Sequence, residues 1–271
     1  MVGFAVVVGI AVTSHSYLQI FTLRALFGFL TGFFISGFSM VSNDIYDVDV
    51  DRINQPERPL ASGRVTLSTA RWMCAGLLIA GLAVALPLGV ANFAIASLFA
   101  LIGWYYNYHG KKLGLFGNSL VALSLAIPYI YGSIALESYS INLGYLLALT
   151  SFLAGLGREV LKGIADVQGD RRRNVKTVAI SFGTRKARLA VAAFFLAAVA
   201  SSALPVAFGL LGSALIIYGL LILIPDGIFL FLSYRVLAMK KEETESLKLK
   251  SIALGGMMTG LLAYLISGLF V

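Results

Sequence analysis

Charge is scarce in this chain, and so are the residues that build soft-metal sites. Of 271 residues only 13% are Asp, Glu, Lys or Arg, where a soluble domain usually carries ~25%. A water-soluble globule is excluded. The single cysteine, Cys74, stands in an apolar stretch, so no internal disulfide can form and a thiolate metal cluster has no ligands. Only two histidines occur, His15 and His109. They fall in loops assigned below to opposite faces, which leaves no imidazole cluster for zinc or copper. What abounds is apolar: 59% of residues, with 28 glycines and a mean hydropathy of +0.88. The apolar runs lack the alternation of an outer-membrane barrel, so the composition predicts an all-α polytopic membrane protein whose solvent is the bilayer.

Nine apolar segments follow one another, at roughly 1–12, 18–42, 71–88, 92–108, 118–136, 143–162, 189–208, 210–238 and 249–271. Most approach the ~20 residues that cross ~30 Å of hydrocarbon. Assigning the gaps alternately to two faces sorts the charge. Of 21 Lys and Arg, all but Arg24 fall in the loops 43–70, 109–117, 163–188 and 239–248 or at the adjoining helix ends. The positive-inside rule makes those loops cytoplasmic. A net charge of +8 therefore reports topology and membrane lipid headgroups, and no nucleic-acid partner is expected. Eleven of the thirteen acids share that face, the exceptions being Glu137 and Asp226. The first segment is short for a crossing and has no basic flank, so the chain is expected to start inside its first helix, with a basic leader before it. A cleaved signal peptide fits less well, for want of a positive n-region.

Carboxylates beside apolar helices are costly without compensation, and here they form two groups. The first is Asn43-Asp44-Ile45-Tyr46-Asp47-Val48-Asp49-Val50-Asp51, followed by Arg52, Asn54, Pro56, Arg58 and Pro59. If the helix runs on, Asn43, Asp44, Asp47 and Asp51 fall within an arc of about 100°, while Asp49 points elsewhere and is expected to be solvated. In the second group Arg158, Lys162, Asp166 and Asp170 recur every four residues and predict one stripe of a helix. Oxygen ligands interleaved with cations suit a metal-bound polyphosphate, and Mg²⁺ fits best. A solvated face is the rival reading for one such pair. Two pairs, each after an even-numbered span and each followed by eleven residues to Ser62 or Ser181, argue instead for a weak repeat. Two four-helix halves plus one helix would then surround a central cavity, each half donating one acidic helix end.

At these residues the sequence resembles the UbiA superfamily of intramembrane prenyltransferases. Asn43, Asp44, Asp47 and Asp51 match N-D-x-x-D-x-x-x-D, and Asp166 and Asp170 match D-x-x-x-D. Asn54-Gln55-Pro56-Glu57-Arg58-Pro59-Leu60 strengthens the match, and because nine spans with these loops after the second and sixth are also the family layout, the likeness covers the whole chain, 1–271, as a single transmembrane domain. The basic, Asn-containing start of helix 1 usual in the family is the one departure. The resemblance implies Mg²⁺-dependent prenyl transfer from an isoprenyl diphosphate donor to a hydrophobic lipid or aromatic acceptor, with release of pyrophosphate. It implies metal binding by Asn43, Asp47, Asp51, Asp166 and Asp170, and diphosphate contacts from Arg58, Lys112, Arg158 and Lys162. Asp44, Asp51 and Lys162 are then the candidate catalytic groups, with Tyr129 and Tyr131 offering aromatic faces to a carbocation.

The run Gly157–Asp170 looks most like the archaeal branch that alkylates geranylgeranylglyceryl phosphate, and the basic stretch Arg171–Lys176 would serve an acceptor phosphate or anionic headgroups. An aromatic acceptor, as in the quinone branch, stays open. A rival from another class is an ion-coupled transporter, for which only Asp226, in Ile224-Pro225-Asp226-Gly227, has a midplane position. The CDP-alcohol phosphotransferases need a D-G-x-x-A-R run that is absent. Asp226 is expected to be a hydrogen-bonded buried acid, Glu159 is left unassigned, and Lys240–Lys250 reads as a solvated connector. Nothing in the sequence fixes an oligomeric state.

Overall fold

The computed structural model describes residues 2–172, 175–239 and 242–271. Among these there is no strand. Twelve helices occur in the order α1 Val2–Ser14, α2 Leu23–Asn54, α3 Leu67–Ala85, α4 Val90–Tyr108, α5 Leu115–Ala135, α6 Leu143–Ala165, α7 Val167–Arg172, α8 Val178–Phe182, α9 Thr184–Ser202, α10 Leu204–Ala207, α11 Leu215–Ala238 and α12 Glu242–Gly268. Seven of them, α2, α3, α4, α5, α9, α11 and α12, give stretches long and apolar enough to cross a membrane. Of the other two elements read as crossings, α1 has 13 residues, and α6 has 23 but carries Arg158, Glu159 and Lys162 near its end.

Local chemistry sets the helix limits. Thr22, Thr66 and Asn142 cap α2, α3 and α6, their side-chain oxygens accepting from backbone N–H groups of the first turn, which satisfies donors the helix leaves orphaned. The second helix does not stop at residue 42. It runs unbroken through the acidic stretch to Asn54, because nothing before Pro56 interrupts the backbone ladder. The sixth stops at Ala165. Asp166 caps it at φ −107° and ψ 15°, so the four-residue stripe expected through Asp170 bends there and resumes in α7. The segment read as a connector after Lys240 is helical from Glu242 onward, while Arg173, Lys240 and Lys241 lie outside the described residues.

Helix α2 packs on α1, α3 and α4. Helices α6, α9, α11 and α12 pack on one another around Leu161, Ile164, Phe195 and Leu232, and α5 joins the two groups through α1 and α6. Outward faces carry exposed Leu, Ile and Phe such as Ile216 and Leu220, as lipid-facing surfaces do. Glycines bring α1 close to its neighbours: a Cβ at Gly9 would meet the Tyr129 carbonyl, and one at Gly132 the Val6 carbonyl. Asp226 accepts the expected hydrogen bond, from the Ser202 hydroxyl at 2.8 Å, but it is only half-buried rather than fully buried.

Candidate active site

The last turns of α2 present their acids to cations and amides from other elements. Asn43 Nδ2 donates to Asp47 Oδ2 and to Asn107 Oδ1 of α4, each at 3.1 Å. Asn107 in turn donates to the Ser39 carbonyl at 2.9 Å, which pins α4 against α2 at the inner end of the acidic face. Arg58 folds back from the loop after α2 and donates from Nη1 to Asp51 at 2.8 Å and to Asp44 at 3.1 Å. Its Nε is held by Gln55 at 2.7 Å. Lys111 pairs with Asp47. Asp49 turns outward to Arg52 with its side chain 86% exposed.

The end of α6 faces these groups. Glu159, 7% exposed, accepts from Arg158 Nη1 at 3.3 Å and from Lys162 Nζ at 3.0 Å. Beyond it Asp166 and Asp170 lie one turn apart, the Asp170 amide donating to the Asp166 carbonyl at 2.9 Å. The turn between α4 and α5 docks on the chain after α7: the Lys176 amide donates to the Lys112 carbonyl at 3.3 Å. Gly114 lies in that contact at φ +59°, where a Cβ would meet the Lys176 carbonyl, so both its dihedral and its neighbour demand glycine.

These elements enclose one polar cavity of about 810 Å³, whose wall includes Asn43, Asp47 and Asp51 from α2 and Lys162, Asp166 and Asp170 from α6 and α7. Arg58 and Lys112 also line it. Two helix ends more than a hundred residues apart in the chain thus share a chamber. Asp44 and Arg158 stand outside its wall, Asp44 reaching it only through Arg58.

Several wall residues had no reading from the sequence: Lys111, Tyr106, Tyr108, Asn118 and Asn107, while Glu159, left without a role, both pairs with Arg158 and Lys162 and lines the wall. Asn107 gave a usable signal, as an amide inside an otherwise apolar helix. Lys111 gave none, since two adjacent lysines in a turn do not show which one points inward.

A second, apolar cavity of about 290 Å³ follows the first along α2 and α4, bounded by Thr31, Met40, Phe99, Gly103, Pro128 and Tyr131. Met40 and Asn43 on α2, and Gly103 and Asn107 on α4, are three or four residues apart, so about 5 Å of helix separates the two chambers. Of the two tyrosines expected to supply aromatic faces, Tyr131 lines this cavity. Tyr129 lines neither. Its ring packs in the core with Leu143, Leu147 and Tyr218, because Gly9 holds that turn of α5 against α1.

The donor set suits a hard divalent cation. It consists of carboxylate and amide oxygens, with no histidine or cysteine in the wall. Among the described residues no three His, Cys, Asp or Glu side chains are grouped closely enough to hold a metal ion.

The model of the UbiA prenyltransferase family matches residues 2–258. Digeranylgeranylglyceryl phosphate synthase of Archaeoglobus fulgidus is 32% identical over 268 residues, covering 97% of this chain and 89% of that protein. A solved structure described as giving insight into digeranylgeranylglyceryl phosphate synthase in membranes superposes with a TM-score of 0.87 at 28% identity, covering 100% of this chain and 94% of the other. A second, of a UbiA homolog from A. fulgidus bound to GPP and Mg²⁺, shares the fold with a TM-score of 0.67 at 16% identity, covering 97% and 95%.

Proposed function

This chain belongs to the UbiA prenyltransferase family, and from that premise we propose that it transfers a geranylgeranyl group from its diphosphate to geranylgeranylglyceryl phosphate, releasing pyrophosphate. The observation that carries the reading is the shared wall: acids of two distant helix ends line one polar chamber, with an apolar chamber about one helical turn away. A diphosphate fits the first and an isoprenoid tail the second. Relatives named digeranylgeranylglyceryl phosphate synthase support the acceptor, and a family structure bound to GPP and Mg²⁺ supports the donor class.

In this reading Asn43, Asp47 and Asp51 on one side and Asp166 and Asp170 on the other hold Mg²⁺. Bound there, the metal would supply electrostatic stabilisation of the charge developing on pyrophosphate. Arg58, Lys111, Lys112 and Lys162 neutralise the rest of the phosphate charge. Asp44 keeps Arg58 turned toward the chamber. The apolar walls hold water away from the allylic cation, and the faces of Tyr106, Tyr108 and Tyr131 are available to it. With α1 and α6 counted beside the seven apolar helices, the chain crosses nine times, its acidic loops cytoplasmic and its halves related as a weak repeat.

The test is a product assay. The purified protein is incubated with Mg²⁺, geranylgeranyl diphosphate and either geranylgeranylglyceryl phosphate or 4-hydroxybenzoate. The expected product by mass is the lipid diether. Alkylation of the aromatic acid alone would move the chain to quinone synthesis. Proton-coupled uptake without pyrophosphate release would overturn the enzyme.

A further inference from the structure

We propose that Glu159 is the general base that takes the proton from the acceptor's hydroxyl. This rests on the transfer reaction argued above and assigns a step that the metal-binding acids leave open. Making the ether breaks the donor's C1–O bond, whose electron pair departs with pyrophosphate. The acceptor oxygen gives a lone pair to C1, its O–H bond breaks with the electrons staying on the ether oxygen, and the proton must go to a base.

The chamber wall offers few groups for that proton. No histidine lines it, and its carboxylates among the described residues are Asp47, Asp51, Asp166, Asp170 and Glu159. Four of these belong to the two acidic helix ends. Glu159 lies seven residues before Asp166 on the path of α6 into the bundle, about 10 Å deeper. There a prenyl carbon would stand once its diphosphate is held at the helix ends.

Glu159 is also held on both sides by cations in that place. It is 7% exposed, yet one oxygen accepts from Arg158 and the other from Lys162. A lone buried charge costs several kcal/mol, and paired cations offset that. Among the described residues one oxygen accepts from Arg158 and the other from Lys162, whereas a carboxylate has about four lone-pair sites. Acceptor capacity remains for a hydroxyl in the chamber.

The experiment separates the base from a mere anchor for Lys162. Wild type, Glu159→Gln and Glu159→Asp are compared in detergent with Mg²⁺. Three quantities are read: equilibrium affinity for geranylgeranyl diphosphate, positional exchange of ¹⁸O from its bridging oxygen without acceptor, and ether formed with geranylgeranylglyceryl phosphate. A positioned base contributes about 10²–10⁴ in rate, so Glu159→Gln should keep donor affinity and isotope exchange while ether formation falls at least about a hundredfold. The Asp variant keeps the charge beside both cations and guards against misfolding. It should bind donor normally and transfer at least about tenfold more slowly, since the shorter side chain falls outside reach of the hydroxyl. Ether formation at the wild-type rate in either variant overturns the proposal, leaving pyrophosphate as the base. So does a parallel fall in affinity, exchange and ether, which would make Glu159 a support for Lys162. A wild type that neither exchanges label nor makes ether defeats the transfer reading itself.

Discussion

Asp47 and Asp49 stand two residues apart on α2 and meet opposite fates. The first faces Lys111 and Asn43 inside the chamber, and the second lies in solvent beside Arg52. An exposed pair of that kind contributes little to stability, so Asp49→Asn should leave turnover within about twofold. Asp47→Ala and Asp166→Ala should each lower turnover at least about a hundredfold, the scale seen on removing one stabilising group from a preorganised site. Rates with both substrates, beside circular-dichroism melts showing an unchanged fold, check this. Periodicity alone separates these fates, because ~100° per residue puts Asp47 and Asp51 on one face and Asp49 on another. Partner choice is not legible in the same way. Lys111 rather than Lys112 pairs with Asp47, and Arg58 spans Asp44 and Asp51, because the turns after α2 and α4 aim those side chains.

At the scale of elements, α1 is held by absence of side chains. Gly9 and Gly132 bring α1 and α5 into backbone contact, and Gly3 and Gly32 do the same for α1 and α2. In lipid, where apolar burial drives little association, such close approach is what packs helices. Gly132→Leu should therefore cost about 1–3 kcal/mol, the usual range for overpacking, and lower the melting temperature in detergent. Replacement of Gly76, whose Cβ would meet nothing, is the control and should leave melting unchanged. The apolar runs announce most helices, but two limits escape them. Helix α2 passes through its acids because hydropathy falls there while backbone geometry does not. Helix α6 bends at Asp166 although a spacing of four suits an unbroken helix. Its last turn packs at Gly163 against Thr177, a contact no local pattern encodes.

The whole molecule sets its functional groups at one end. The ends of α2, α4 and α6 and the start of α5 meet at the polar chamber, while the Arg24–Glu137 pair and the turn before α6 lie at the other. Charge bias gave that sorting from sequence, whereas the chamber itself needed the packing of α5 between the two helix groups. Orientation is open to direct measurement. In a Cys74→Ser background, Ser138→Cys should react with an impermeant maleimide on intact cells, and Ser62→Cys only after lysis. The reverse pattern would invert the topology.

The ion pairs of Arg58 with Asp44 and Asp51, and of Lys111 with Asp47, mean that the acidic cluster already carries tethered counter-ions. A divalent ion arriving alone must evict an ammonium and a guanidinium that have nowhere better to go, whereas a diphosphate offers both a new anion. Cofactor and donor should therefore load as a unit, and by linkage each must tighten the other by the same factor. Calorimetry should find Mg²⁺ weak by itself and at least about fivefold tighter beside inorganic pyrophosphate, with Lys111→Met improving the affinity for Mg²⁺ alone while eroding that synergy.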